Sequence, residues 1–566
     1  MLVSHLDTNT RRIDTRYREC CRFSAGRCRA ITTSSGPSPN IHNAEPADHP
    51  GGEGVANGGG PWVAVIGAGL GGVAVGVKLK QAGIESFEIF ERGSDVGGVW
   101  RDNTYPGACV DTPSLLYTYS FKPHDWTRSH ARQPEILEYV RETADEFDLR
   151  RHIKFDTTVT EAAWHPEIQR YLVKTSDGSI REFDAVITAV GLFNEPRPLD
   201  WPGMDKFQGP IFHSAQWNHE YDLTGMRVAV VGTGSSSAQI VPQLAEICAK
   251  VLVFQREPGW VLPKGERAFT DAERVAFRKP QVFRKERLKL MWTFERRQHG
   301  AGDKRPGTHR NIERERICRE FITSVFAERP DLAKLVTPSY PYSGKRPIID
   351  SNFYPSLLRD NVELVPQAVA SLTADAVIDA SGVEHEVDAV VAATGFKAAE
   401  FLSELKIIGN DGITLADHWS GEPDAFVGVM VPHFPNFFML YGPNTNGGTM
   451  INNLERQADY AVAAVKLLRR RPNVGAVEVR ESAHRWYNAW LEGRLEGTIW
   501  QQTNNYFKAR SGKVVTQWPE GALLYGALTV ALRRIAWRTR RRPGVRIGRG
   551  RMGVSPTAKA ARRGFA

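Results

Sequence analysis

The first chemistry in this 566-residue chain lies in two short glycine-rich stretches. Gly67-Ala68-Gly69-Leu70-Gly71-Gly72 has the spacing GxGxxG. Gly67 permits a tight turn, Gly69 lets backbone approach a pyrophosphate, and Gly72 allows close packing of helix on strand. Glu91 follows roughly 20 residues later, where a carboxylate can bind ribose hydroxyls. Gly232-Thr233-Gly234-Ser235-Ser236-Ser237 repeats the pattern with Ser237 at the third glycine position, a residue small enough to keep the packing. Thr233, Ser235, Ser236 and Gln239 join Gly232 and Gly234 as candidates for the second nucleotide. Arg256 stands where an acid would select a free 2′-hydroxyl; an arginine there accommodates a 2′-phosphate, so NADPH is favoured over NADH. Glu257 beside it opposes that attraction, and an ordinary surface arginine is the alternative reading.

These loops need strands and helices to aim them. Trp62 to Ile66 (WVAVI) reads as a buried parallel strand, followed by an apolar helix through Gln81 and a second strand over Ser86 to Phe90. A second βαβ unit begins at Arg227 with RVAVVG, continues in a helix near Ala238 to Ala249, and ends in VLVFQR. Asp184 to Gly191 (DAVITAVG) and Asp388 to Phe396 (DAVVAATGF) share one pattern, a strand entering a small-residue turn. The expected fold class is α/β, with two Rossmann-like dinucleotide-binding domains, the first interrupted by the second, plus a helical insertion at about 266–331. The expected boundaries are a disordered leader at 1–60, the first domain at 61–220 and 345–520, the second at 221–344, and a basic tail at 521–566.

Composition bounds the rest. The chain carries a net charge of +9, with 41% hydrophobic and 24% charged residues, ordinary for a multidomain globular protein. The run from Arg533 to Ala566 holds eleven arginines and Lys559 with no acid, and reads as a solvated end able to touch anionic lipid or nucleic acid weakly and without sequence preference. The apolar stretch Ala522 to Leu532 before it is too short to span a bilayer but could lie on one. Arg11-Arg12 is followed by no apolar segment, so a twin-arginine export signal is excluded. The six cysteines form no CxxC and no metal-ligand spacing, which implies a reduced, cytoplasmic chain with no metal and excludes a disulfide reductase.

Two further patterns make the chain resemble the type I Baeyer–Villiger monooxygenases. Gly97-Gly98-Val99-Trp100, Tyr105-Pro106-Gly107 and Asp111 match the family's longer fingerprint, and Phe207, Gly209, His213 and Trp217 give FxGxxxHxxxW. The resemblance runs from about Trp62 to Pro519. Val190 and Asn218 depart from it, standing for the threonine of the first ATG-like turn and for the residue that usually follows the tryptophan. It implies FAD in the first domain, with Gly98, Val99, Trp100, Asp111, Tyr117 and Val159 among its contacts, and NADPH in the second. It further implies a C4a-peroxyflavin that inserts one atom of O2 beside a ketone carbonyl.

By composition, Lys345-Arg346 is a solvated basic pair; the resemblance makes it functional. It assigns Arg346 to the negative charge of the reaction, Asp111 to holding Arg346, and Lys345 to the 2′-phosphate beside Arg256. His213 reads as a coupling or hinge residue, or a plain buried histidine, with Trp217 as its rigid partner or simply core. Phe434 to Phe438 and Leu440 to Asn444 resemble the segment that closes over the flavin ring, with apolar residues contributing to a substrate wall. The expected partners are a small ketone and O2, for a monomer or small homo-oligomer. Oxygenation at nitrogen or sulfur, an uncoupled NADPH oxidase, and a basic nucleic-acid- or membrane-binding protein with a vestigial flavin fold stay open.

Overall fold

Each of the two βαβ units grows into a five-stranded, wholly parallel sheet. The structure, a computed structural model, describes residues 60–298 and 302–543; the expected leader, Gly60 apart, and the chain beyond 543 lie outside the described residues. The first sheet runs Phe437–Met439, Ala185–Thr188, Val63–Ile66, Phe87–Phe90, Ile153–Lys154 from edge to edge. The second runs Val362–Val365, Lys250–Phe254, Arg227–Val231, Ala389–Ala392, Ile211–His213. Val63–Ile66 and Ala389–Ala392 are buried at every position, as strands covered on both faces must be.

The two sheets use one backbone device twice. Asp184 accepts the Trp62 amide at 2.9 Å, and Asp388 accepts the Arg227 amide at 2.7 Å, so each acid locks the start of a central strand to its neighbour. At the other end, Gly67 has φ +100° and a Cβ there would sit 2.8 Å from the Ala189 carbonyl oxygen; Gly232 has φ +108° and meets the Ala393 oxygen at 2.6 Å. Only glycine fits both turns. The helices that follow span Leu70–Gln81 and Ser235–Ile247, the latter starting three residues before the expected Ala238.

Sheet membership moves the expected seams. Ile211–His213 lies before 221, and Val362–Val365 and Ala389–Ala392 lie after 344, yet all three belong to the second sheet. A parallel sheet recruits strands through long crossovers, so the order along the chain does not give its edges. The chain passes between the sheets at two adjoining points: the Arg197 amide donates to the Gly395 carbonyl at 2.9 Å and the Lys397 amide to that of Glu195 at 3.0 Å.

The insertion is helical, as expected, over Asp271–Phe277, Pro280–Gln298, His309–Val325 and Pro330–Val336. It is not merely peripheral. Cys318, Ile322, Phe326, Leu332 and Val336 complete the apolar core of the second sheet, and Phe283 enters that of the first.

The expected basic tail is also corrected. Helix Ala522–Ala531 buries Tyr525, whose hydroxyl donates to the Val427 carbonyl at 2.8 Å. Strand Trp537–Arg541 pairs antiparallel with Val474–Val479. Glu478, with no side-chain exposure, receives Arg538 at 2.8 Å and Arg540 at 2.9 Å, and Arg542 pairs with buried Asp184. These arginines are counter-ions of interior acids, which a local charge count cannot reveal. A chain ending at Pro543 is expected to melt with the full-length protein. One ending at Glu520, which strands Glu478 and empties the Tyr525 site, should aggregate or lose on the order of 10 °C or more in a thermal melt.

Candidate active site

The first cradle is built from glycine backbone. Gly69 is the N-cap of helix Leu70–Gln81, whose first turn holds no acid, and it faces Gly98 (φ +55°), where a Cβ would lie 3.0 Å from the Gly69 Cα. Gly72 packs so tightly that a Cβ would fall 1.8 Å from the Gly67 oxygen. A helix N-terminus bare of side chains suits a pyrophosphate. Glu91 ends the neighbouring strand, where its carboxylate accepts the Ala68 amide at 2.8 Å, the Gly93 amide at 2.9 Å and Arg101 Nη1 at 2.8 Å. It therefore shapes the glycine turn. Val99 and Trp100 form the short helix Val99–Asp102 behind Gly98, and Trp100 Nε1 donates to the Tyr117 hydroxyl at 2.8 Å. Burial raises the pKa of Tyr117, which stays a neutral phenol. Val159 is buried at the start of Val159–His165, brought near Glu91 by the Thr157 amide on the Glu91 carbonyl at 2.9 Å. The cradle fits FAD.

At the second cradle, Gly234 caps Ser235–Ile247, again with no acid in the first turn, and the space where a Cβ would stand is open. Thr233, Ser235 and Ser236 surround this opening in sequence, while Ser237 is fully buried at the third glycine position. Arg256 is exposed two residues past the strand Lys250–Phe254. The residues fit NADPH. The Gln239 carboxamide accepts the Tyr105 hydroxyl at 3.0 Å and donates to the Cys109 carbonyl at 3.1 Å. Lys345 pairs with Glu257, the acid next to Arg256.

Between the cradles stands Arg346. Its segment belongs to the second core, since Ile348 is buried there and Ile348–Ile349 pairs with Val261–Leu262. The side chain crosses to the first, where Nη2 meets Asp111 Oδ2 at 2.5 Å. Asp111 chiefly raises the arginine's already high pKa. Burial alone would raise the Asp111 carboxyl; the guanidinium overrides it and holds the acid below the usual carboxylate range. Tyr441 and Tyr506 share this field, and burial pushes both phenols up, Tyr441 to about 12. A third of the Arg346 side chain remains open. A fixed cation ringed by neutral phenols can stabilise negative charge developing on a nearby oxygen.

The flavin-binding monooxygenase-like family model matches residues 61–290. A Baeyer–Villiger monooxygenase of Streptomyces coelicolor is 37% identical over 81% of this chain and 88% of its own length. The chain belongs to the Baeyer–Villiger monooxygenase family. Cyclohexanone monooxygenase from Rhodococcus sp. Phi1 bound to NADP+ superposes with a TM-score of 0.77 at 29% identity, covering 85% of this chain and 99% of that one. OTEMO in complex with FAD and NADP gives 0.77 at 25% identity, with 85% and 99% coverage. The chain is an FAD- and NADPH-dependent flavoprotein monooxygenase.

The other fingerprint residues of this Baeyer–Villiger monooxygenase lie at contacts between the two sheets or in the second core. His213 ends the edge strand of the second sheet, is buried, accepts the Ala215 amide at 3.1 Å, and meets the Phe396 ring edge-on at 5.5 Å beside the Gly395 crossing. Burial lowers its pKa. Trp217 packs on Phe212, ring centroids 5.1 Å apart, within the second core. Tyr105 and Gly107 abut helix Ser235–Ile247; a Cβ at Gly107 would lie 2.4 Å from the Gln239 carbonyl oxygen. Phe434, Phe437 and Phe438 are wholly buried core residues and form no substrate wall. Sequence reasoning missed Tyr506 and the role of Tyr441; no spacing links either to Arg346. Replacing Glu257 with Gln is expected to free Lys345 and lower the KM for NADPH up to about fivefold, within the worth of an exposed ion pair, with the KM for NADH unchanged. Steady-state kinetics with both cofactors checks this.

Proposed function

We propose that this enzyme inserts one oxygen atom of O2 beside the carbonyl of a small ketone, giving an ester or lactone, with NADPH as electron source. The observation that carries the reading is the Arg346–Asp111 pair, formed across the two nucleotide-binding units with a face left open. FAD, once reduced, supplies the electrons that activate O2. Arg346 keeps its charge at every working pH and is planar, so it can serve two oxygens as negative charge builds on them. Asp111 fixes the orientation of the guanidinium. Because burial keeps Tyr441 and Tyr506 protonated, neither adds a competing anion, and each hydroxyl can donate a hydrogen bond.

Arg256 and Lys345 bind the 2′-phosphate on this reading, with Lys345 exchanging Glu257 for it. His213, wedged against the Phe396 crossing, transmits movement between the units, and Trp217 keeps its strand rigid. The enzyme works as a monomer or small homo-oligomer in the reducing cytoplasm, a setting supported by the free thiols Cys109, Cys248 and Cys318.

The pair also sets a pH expectation. A carboxyl depressed in the folded state contributes stability above its unfolded value, near ~3.9, and loses it as pH falls through the lowered folded value. The Arg346–Asp111 contact should therefore survive from neutrality down to about pH 4, and ester formation should show no acid limb from it.

Incubation with a ketone panel, NADPH and O2 should yield esters with one NADPH consumed per product. Arg346→Ala should cut ester formation by about 10²–10³ while NADPH oxidation continues with release of hydrogen peroxide. Product made only at sulfur or nitrogen, or ester formation untouched by Arg346→Ala, would overturn the proposal.

A further inference from the structure

We propose that the helical insertion and the C-terminal helix together form a face that docks this enzyme on an anionic lipid surface. The outward stripe of helix Pro280–Gln298 carries Arg284, Lys285, Leu288, Lys289, Trp292 and Arg296, all exposed, at helical spacing and with no acid among them. Leu288 is 63% and Trp292 58% exposed. The opposite stripe is buried, with Phe283 in the core and Arg287 turned inward, so the helix is fixed with this face outward. Among the described residues, Lys289 alone of the four cations has an ion pair, with Glu286 at 3.7 Å.

A second helix adjoins it. Glu295 accepts the Leu523 amide at 3.2 Å, joining the end of Pro280–Gln298 to the start of Ala522–Ala531. The outer side of that helix and the turn after it exposes Leu523 at 53%, Val530 at 52% and Ile535 at 69%, beside Arg534. Large apolar side chains interleaved with cations on adjoining helices form the pattern of a helix lying in a membrane interface, apolar atoms in the acyl boundary and cations at the headgroups. Among the described residues no helix is long and apolar enough to cross a membrane, so the contact is superficial.

Charge decides between occupants. A second copy meeting this face about a twofold axis would bring the same four cations together. Nucleic acid would neutralise them but leave Leu523, Val530 and Ile535 in water. A lipid surface satisfies both halves. Beyond the described residues the sequence adds Arg546, Arg549, Arg551, Lys559, Arg562 and Arg563 without an acid.

The full-length FAD enzyme should co-sediment with vesicles containing phosphatidylserine and not with pure phosphatidylcholine vesicles, binding falling as salt rises. Leu288→Glu with Trp292→Glu should lower partitioning at least about tenfold, and each of Lys285→Gln and Arg284→Gln roughly fivefold, while flavin content and turnover of a soluble ketone stay unchanged. Any of four outcomes would overturn the proposal: no sedimentation of the parent; equal sedimentation of the double variant; loss of binding only when residues 544–566 are removed; or a parent dimer that the double variant converts to monomer. Duplex DNA bound more tightly than the vesicles would overturn it in favour of nucleic acid. Vesicle binding is read without turnover, so its failure is separate from failure of the proposed reaction.

Discussion

The contact between Arg346 and Asp111 joins groups that belong to different cores. One is anchored through Ile348 to the second sheet, the other through Val110 to the first. The Arg346–Asp111 contact can hold only while the two sheets keep their present relation. The surroundings serve that relation. Tyr105 and Gly107 press on helix Ser235–Ile247, Gln239 returns the contact to the Cys109 backbone, and the paired crossings at Arg197–Gly395 and Lys397–Glu195 limit how far the units can part. Residues of the family fingerprint thus brace the contact that holds Arg346 against Asp111.

Much of this was legible because backbone requirements leave residue-type signatures. Gly67 and Gly232 were readable as turns that accept no side chain, and both are pressed against a carbonyl oxygen. The likeness of Asp184–Gly191 to Asp388–Phe396 proved to be a shared structural role, with each aspartate locking a central strand and each following alanine closing a glycine turn. Arg346 was a different case. Its own sequence surroundings describe a solvated basic pair, and only the resemblance gave it a function.

What was not legible depends on partners distant in sequence. Arg538, Arg540 and Arg542 look like a solvated run until Glu478 and Asp184 are seen beneath them. Neither the pairing of Lys345 with Glu257 nor that of Gln239 with Tyr105 could be read from local sequence. The edges of the second sheet were misplaced for the same reason: Ile211–His213 and Val362–Val365 are short strands whose neighbours lie far along the chain. Local pattern identifies an element and its exposed or buried faces; it does not say which remote charge or strand completes it.

The salt link from Arg542 to Asp184 has a consequence for how the molecule is made. The second sheet has all five of its strands once residue 392 has been synthesised, and can condense while the rest is still emerging from the ribosome. The first begins earlier, at Val63, yet is completed only by Phe437–Met439, and Arg542 then adds a late second partner to Asp184, which Arg170 already meets at 3.5 Å. The unit translated first is therefore finished last, and its apolar edge stays uncovered longer during synthesis than that of the second.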